Sequence, residues 1–137
     1  MKTIIEKSAF VLCLLTGLGL IFIGARFFIS PVVAEHSFGI RVDTSGNFSF
    51  HFIKGARDIF SGLALVVLLL AREYRALGMV LLCALIVPAT DLCIVLSSVD
   101  SPAGAFWPHL TAVVIALLLG VYYIGSKQRK NMADATA

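Results

Sequence analysis

Lys54, Arg57, Asp58 and Ser61 recur at the i, i+3, i+4, i+7 spacing that puts side chains on one face of a helix. Two cations beside a carboxylate on one face can hold an anion, stabilise developing negative charge or close an ion pair. The flanking residues, 50–71, are otherwise almost wholly apolar. A second carboxylate, Asp91, lies in another apolar run just after Pro88, and Arg26 and His109 lie in two more. If a reaction occurs, His109 and Asp91 are the candidate proton carriers, with Lys54 and Arg57 facing negative charge. Asp58, Asp91 and His109 also have the donor types of a carboxylate–histidine metal site. Lys54 and Arg57 compete for those carboxylates, and no helix carries an HxxxH or ExxH pair, so no metal is expected.

The elements that carry these residues are long and apolar. Four runs, 8–29, 50–71, 76–96 and 106–125, each reach the roughly 20 residues a helix needs to cross a bilayer. The chain has 137 residues, 59% of them hydrophobic and 14% charged, against about 25% charged in soluble domains. The fold class is therefore all-α: a single integral membrane domain built as a four-helix bundle. A net charge of +3, mostly outside the apolar runs, gives no nucleic-acid footprint. Cys13, Cys83 and Cys93 show no CxxC spacing and read as small residues of an apolar interior. The first apolar run is longer than the ~7–15 residues of a signal-peptide core and is interrupted by Arg26, so it is expected to stay as a span.

Basic residues orient the helices. Lys2, Lys7, Arg72, Arg75, Lys127, Arg129 and Lys130 fall on one side, and only Arg41 is clearly in a loop on the other. The positive-inside rule puts both termini and the turn at 72–75 in the cytoplasm of a multi-pass cell-membrane protein. Loops 30–49 and 97–105 are then outside. In the longer loop, Ser30 is placed to cap a short helix beginning at Pro31 and ending at Gly39, with Val32, Val33 and Phe38 at the membrane interface. Residues 43–47 (Asp-Thr-Ser-Gly-Asn) read as a turn, and Glu35 and His36 as a solvated pair. Trp107, Tyr122 and Tyr123 read as interface anchors, and the last residues as a frayed tail.

A ruler along each helix brings the ionisable groups to one level. At a rise of about 1.5 Å per residue, Arg57 and Asp58 stand about 20–22 Å above the inner boundary. Asp91 stands about 24 Å above it, and Lys54, Arg26 and His109 about 27–28 Å. All occupy the outer third of a hydrocarbon layer about 30 Å thick. An unpaired charge deep in a bilayer costs roughly 2.5–3.5 kcal/mol. Arg57 is therefore expected to pair with Asp91, and Lys54 or Arg26 with Asp58. Gly19, Ile23, Arg26 and Ser30 form a stripe on the first helix. Ala112, Ala116 and Gly120 continue the face of His109 with small residues suited to close packing. Pro88 cannot donate to the carbonyl of Ala84, which is freed near Asp91.

Across residues 18–119 the chain resembles a family of small four-helix membrane proteins, bacterial and fungal, catalogued as a domain of unknown function. The resemblance rests on Gly24-Ala25-Arg26-Phe27 with Pro31, Phe38-Gly39, Lys54-Gly55-Ala56-Arg57-Asp58 with Gly62, Arg75-Ala76-Leu77-Gly78, Pro88-Ala89-Thr90-Asp91 and His109. It is distantly similar in architecture to DoxX-type membrane proteins. The resemblance implies a four-helix bundle and a joint role for Arg26, Lys54, Arg57, Asp58, Asp91 and His109. It supplies neither an activity nor a cofactor.

Three functional classes fit these features. The favoured one is a pocket near the outer face, taking a small amphipathic ligand with an anionic or carbonyl-bearing head. The cluster's excess of one positive charge, with His109 neutral, favours such a head. A structural or accessory subunit, in which the cluster fixes helix packing and Gly17, Gly24, Gly55 and Gly62 serve contacts within or between chains, is the alternative. Transport or proton conduction needs a homodimer and a polar path that the apolar inner halves do not provide.

Overall fold

Among the described residues the protein is entirely helical. The order is α1 Lys2–Ile29, α2 Pro31–Phe38, α3 Ser49–Leu70, α4 Tyr74–Ala84, α5 Ile86–Ser97 and α6 Trp107–Ala135. This computed structural model describes the backbone of residues 2–99 and 101–135 and the side chains of residues 4–99 and 101–125. The side chains of Lys2, Lys127, Arg129 and Lys130, which enter the orientation argument, lie outside the described residues. Both end helices outrun their apolar spans, because the Lys, Glu, Gln, Arg and Ala residues there are good helix formers in water as well. The tail expected to fray is thus helical to Ala135.

Three stretches, Ile4–Ile29, Tyr74–Ser97 and Trp107–Gly125, are long and apolar enough to cross a membrane. The third expected span is one stretch made of two helices. The chain interrupts at Leu85, whose amide bonds to Leu82 three residues back, and Pro88 withholds the amide that Ala84 needs. Helix α3 has 22 residues, but no part of it long enough to span avoids Lys54, Arg57 and Asp58. Composition therefore sets α3 apart from the other three.

Two pairs of antiparallel helices are held by glycines. A Cβ on Gly24 would meet the carbonyl of Gly55, and one on Gly55 the carbonyl of Gly24. Gly17 and Gly62 have the same reciprocal relation seven residues away. Backbones this close exclude any side chain at the crossing and gain dispersion contacts along α1 and α3. Gly78 and Gly120 do the same for α4 and α6. The glycine contacts considered from sequence thus lie within one chain.

The two pairs join around Cys13, Leu65, Leu69, Leu77, Leu81, Leu119 and Tyr123, with Leu69 and Leu77 fully buried. Tyr123 belongs to this core, where it stacks on Tyr74, and not to the interface expected for it. Cys13 is buried, whereas Cys83 and Cys93 face outward. Their outward position is not that of residues in an apolar interior. The core fills the end of the molecule near the 71–73 turn. Toward the opposite end the pairs leave space between them, and α2 lies over that space.

Candidate functional site

α2 is placed by its own backbone and then fastened. Gly39 ends it at φ 100°, a left-handed conformation that suits glycine, with its amide shared by the carbonyls of Glu35 and His36. Ser30 makes no side-chain cap; its amide bonds to the Arg26 carbonyl, so the chain turns directly from α1 into α2. Each neighbouring element then ties α2 down. Arg26 of α1 donates to Ser37 Oγ at 3.2 Å. His51 of α3 lies 2.5 Å from Glu35 Oε2. Ser101 donates to the Gly39 carbonyl at 2.8 Å, and His109 Nε2 to the Phe38 carbonyl at 2.9 Å.

Below α2 is a cavity of about 380 Å³. Arg26, Lys54, Asp58, Asp91 and His109 line it, whereas Arg57 does not. Its further walls are apolar and reach Thr16, Leu65, Leu81 and Ala116, toward the buried core. Ala112 and Ala116 line the cavity, and Gly120 of the same stripe packs closely on Gly78 and Leu82 of α4. Ala84 and Pro88 line the wall at the helix interruption.

The charges form a closed quartet. Lys54 Nζ donates to Asp58 Oδ2 at 2.8 Å and lies 3.7 Å from Asp91 Oδ2. Arg57 Nη2 reaches the same Asp91 oxygen at 3.3 Å, and its Nε reaches Asp58 Oδ1 at 3.3 Å. The two carboxylates are thus bridged by two cations, and charge within the quartet cancels. Asp58 is nearly fully buried, where a lone carboxylate would be costly. Arg57 closes the quartet from the outside, with its side chain 40% exposed. Lys54 is also flanked by the rings of Phe27 and Phe38, at 4.9 and 4.6 Å from their centroids. These faces stabilise the ammonium electrostatically.

Two expected positions differ. Arg26 does not reach Asp58; among the described residues its only polar partner is Ser37. Phe38 turns inward over Lys54 and edge-on to His109, while Val32 and Val33 are exposed. His109 donates from Nε2, since a carbonyl only accepts, so Nδ1 is its acceptor when the ring is neutral.

The pair of Glu35 and His51 was not legible as such. Glu35 is buried, not solvated: Oε2 faces His51, and Oε1 accepts the Val42 amide at 2.7 Å. His36 alone is exposed, beside Arg41. His51 Nδ1 has no hydrogen-bond partner among the described residues. A signal for His51 did exist. His51, Gly55, Asp58, Gly62, Leu65 and Leu69 follow one heptad stripe, all buried, so carrying the charged face one turn back reaches His51. Among the described residues no three His, Cys, Asp or Glu side chains form a metal-holding group.

Residues 17–123 match the family model of a domain of unknown function (DUF4267). No curated protein and no solved structure matches the chain.

Proposed function

This chain belongs to the DUF4267 family, and we propose that it is a multi-pass membrane protein of four spanning helices whose cavity binds a small amphipathic molecule. The observation that carries the reading is the division of one cavity into a charged outer end and an apolar inner end. Its volume falls in the ~300–1,000 Å³ range of small-molecule sites. In this reading α3 is the fourth span. Its charges are tolerated because Lys54, Arg57, Asp58 and Asp91 neutralise one another, with Lys54, Asp58 and Asp91 lining the cavity. We assign the termini to the cytoplasm because Lys7, Arg72 and Arg75 flank the helices on that side.

The apolar seal of Leu65, Leu69, Leu77, Leu81 and Leu119 below the cavity speaks against a conducting path. The accessory-subunit reading draws no partner contact from the reciprocal glycines, since they are used inside the chain. A purely structural quartet remains the competing reading, because its ion pairs are closed without a ligand.

Thermal unfolding of the purified protein against lipids, quinones, small anions and divalent metals separates these readings. Binding to the native state raises stability by mass action. The expected result is a shift with an amphiphile that Asp91→Asn diminishes. No shift with any compound, and a variant that is merely less stable, would favour the structural quartet.

A further inference from the structure

Resting on that reading, the head group and its receptor can be named. Of the cations that line the cavity, Lys54 is matched by Asp58 and Asp91. Arg26 is matched by no carboxylate among the described residues and holds only Ser37 Oγ. Ser37 in turn donates to the Val33 carbonyl at 2.9 Å, so it accepts from Arg26. An arginine carries five N–H donors in a planar fork suited to a carboxylate, and one hydroxyl uses few of them. The site therefore has one unmatched positive charge, in a group shaped for a planar monoanion, at the end of the cavity that meets α2.

The rest of the cavity sets the remainder of the ligand. From Lys54 to Leu65 the α3 wall runs about 16 Å, the length of an extended medium-chain alkyl group. Leu20, Leu65, Leu81, Ala112 and Ala116 line the way. Two lining residues, Ile23 and Phe60, are nonetheless 44% and 73% exposed on the sides of the molecule. α2 lies across the end that would face water, held by four tethers, of which the Arg26–Ser37 contact is itself exposed. Side access beside Ile23 or Phe60 offers a ligand a route that leads from the bilayer.

We propose that the cavity takes a single-chain carboxylate amphiphile from the outer leaflet, with Arg26 and Ser37 receiving its head and the apolar half its chain. The test uses the full chain in lipid nanodiscs, with empty nanodiscs as background, and radiolabelled dodecanoate and dodecanol as probes. Acetate and dodecyltrimethylammonium are competitors. Wild type is expected to bind dodecanoate saturably and about 10- to 100-fold more tightly than dodecanol, the worth of a hydrogen bond to a charged group. Acetate and the ammonium compound should not compete. Arg26→Gln should lose the preference for the carboxylate while still binding dodecanol, which also reports that its cavity is intact. Arg26→Lys should recover part of the preference. Ala112→Phe should abolish binding of both probes. Equal affinity for the two probes in wild type, a preference that survives Arg26→Gln, or displacement by acetate would overturn the assignment of Arg26 and leave the amphiphile cavity standing. Absence of saturable binding by either probe, or binding indifferent to Ala112→Phe, would overturn both.

Discussion

His51 Nε2 lies 2.5 Å from Glu35 Oε2, a buried contact that joins the first turn of α3 to α2 across sixteen residues of sequence. Because the other Glu35 oxygen accepts the Val42 amide at 2.7 Å, this one carboxylate holds α2, α3 and the loop between them.

Removing that carboxylate should loosen α2 and the loop after it before it unfolds the molecule. Glu35→Ala leaves the buried His51 Nε2 without its acceptor, at about 1–3 kcal/mol, and frees the Val42 amide to water. The expected outcome is faster proteolysis within residues 39–48 and a lower melting temperature. Unchanged protection of that loop would mean that the pair does not tether α2.

Arg57 and Asp91 are joined 34 residues apart by a 3.3 Å contact. Breaking a buried pair costs about 3–5 kcal/mol, and the 40% exposure of Arg57 puts the loss toward the lower end. Arg57→Asp and Asp91→Arg should each reduce the yield of folded, monodisperse protein. The double exchange should recover part of it. Size-exclusion profiles from detergent extracts decide the matter: a double variant no better than either single one removes the pair from the account.

The glycine crossings predict a contrast on a single helix. A Cβ at Gly17 would fall 2.7 Å from Val66 Cγ2 and 3.1 Å from the Gly62 carbonyl, whereas nothing lies within 4 Å of one at Gly19. Gly17→Ala should destabilise by about 1–3 kcal/mol through overpacking. Gly19→Ala should be neutral or stabilise by up to about 1 kcal/mol, as alanine favours the helix. Melting temperatures of the two variants, measured side by side, should move apart; equal temperatures would contradict the reciprocal packing of α1 on α3.

The orientation also has a direct readout. A fluorescent protein fused to the C-terminus should mature and fluoresce, and alkaline phosphatase fused there should be inactive, if that end is cytoplasmic. Replacing Arg72 and Arg75 by Gln should weaken this bias, because the rule counts basic residues in short loops near the helix ends. An active phosphatase fusion in wild type would reverse the assignment.

How much was legible depends on whether the physics is local. The spacing of Lys54, Arg57, Asp58 and Ser61, the stop at Gly39 and the ending of apolar runs at 71 and 96 follow from helix periodicity and backbone preferences, which the chain carries within a few residues. The common level of Arg26, Lys54, Asp58, Asp91 and His109 along their helices was legible for the same reason, since rise per residue converts position into height. The burial of Glu35 was not, because a short polar pair in a loop looks the same whether water or a distant histidine satisfies it. Nor were the outward Cys83 and Cys93 or the buried Tyr123, whose facing depends on which neighbour a helix finds.

By itself, then, the sequence determined an all-helical chain with apolar stretches fit for a membrane and ionisable residues at a common level along the helices. Tertiary structure alone decided that Arg57 closes the quartet from outside the cavity, that Arg26 is left to Ser37, and that α2 lies over the space between the helix pairs. The reason is physical: periodicity fixes which residues share a face, but ion pairs and cavities arise from the separation between faces. That separation is set by close contacts such as Gly24 on Gly55, far apart in the chain.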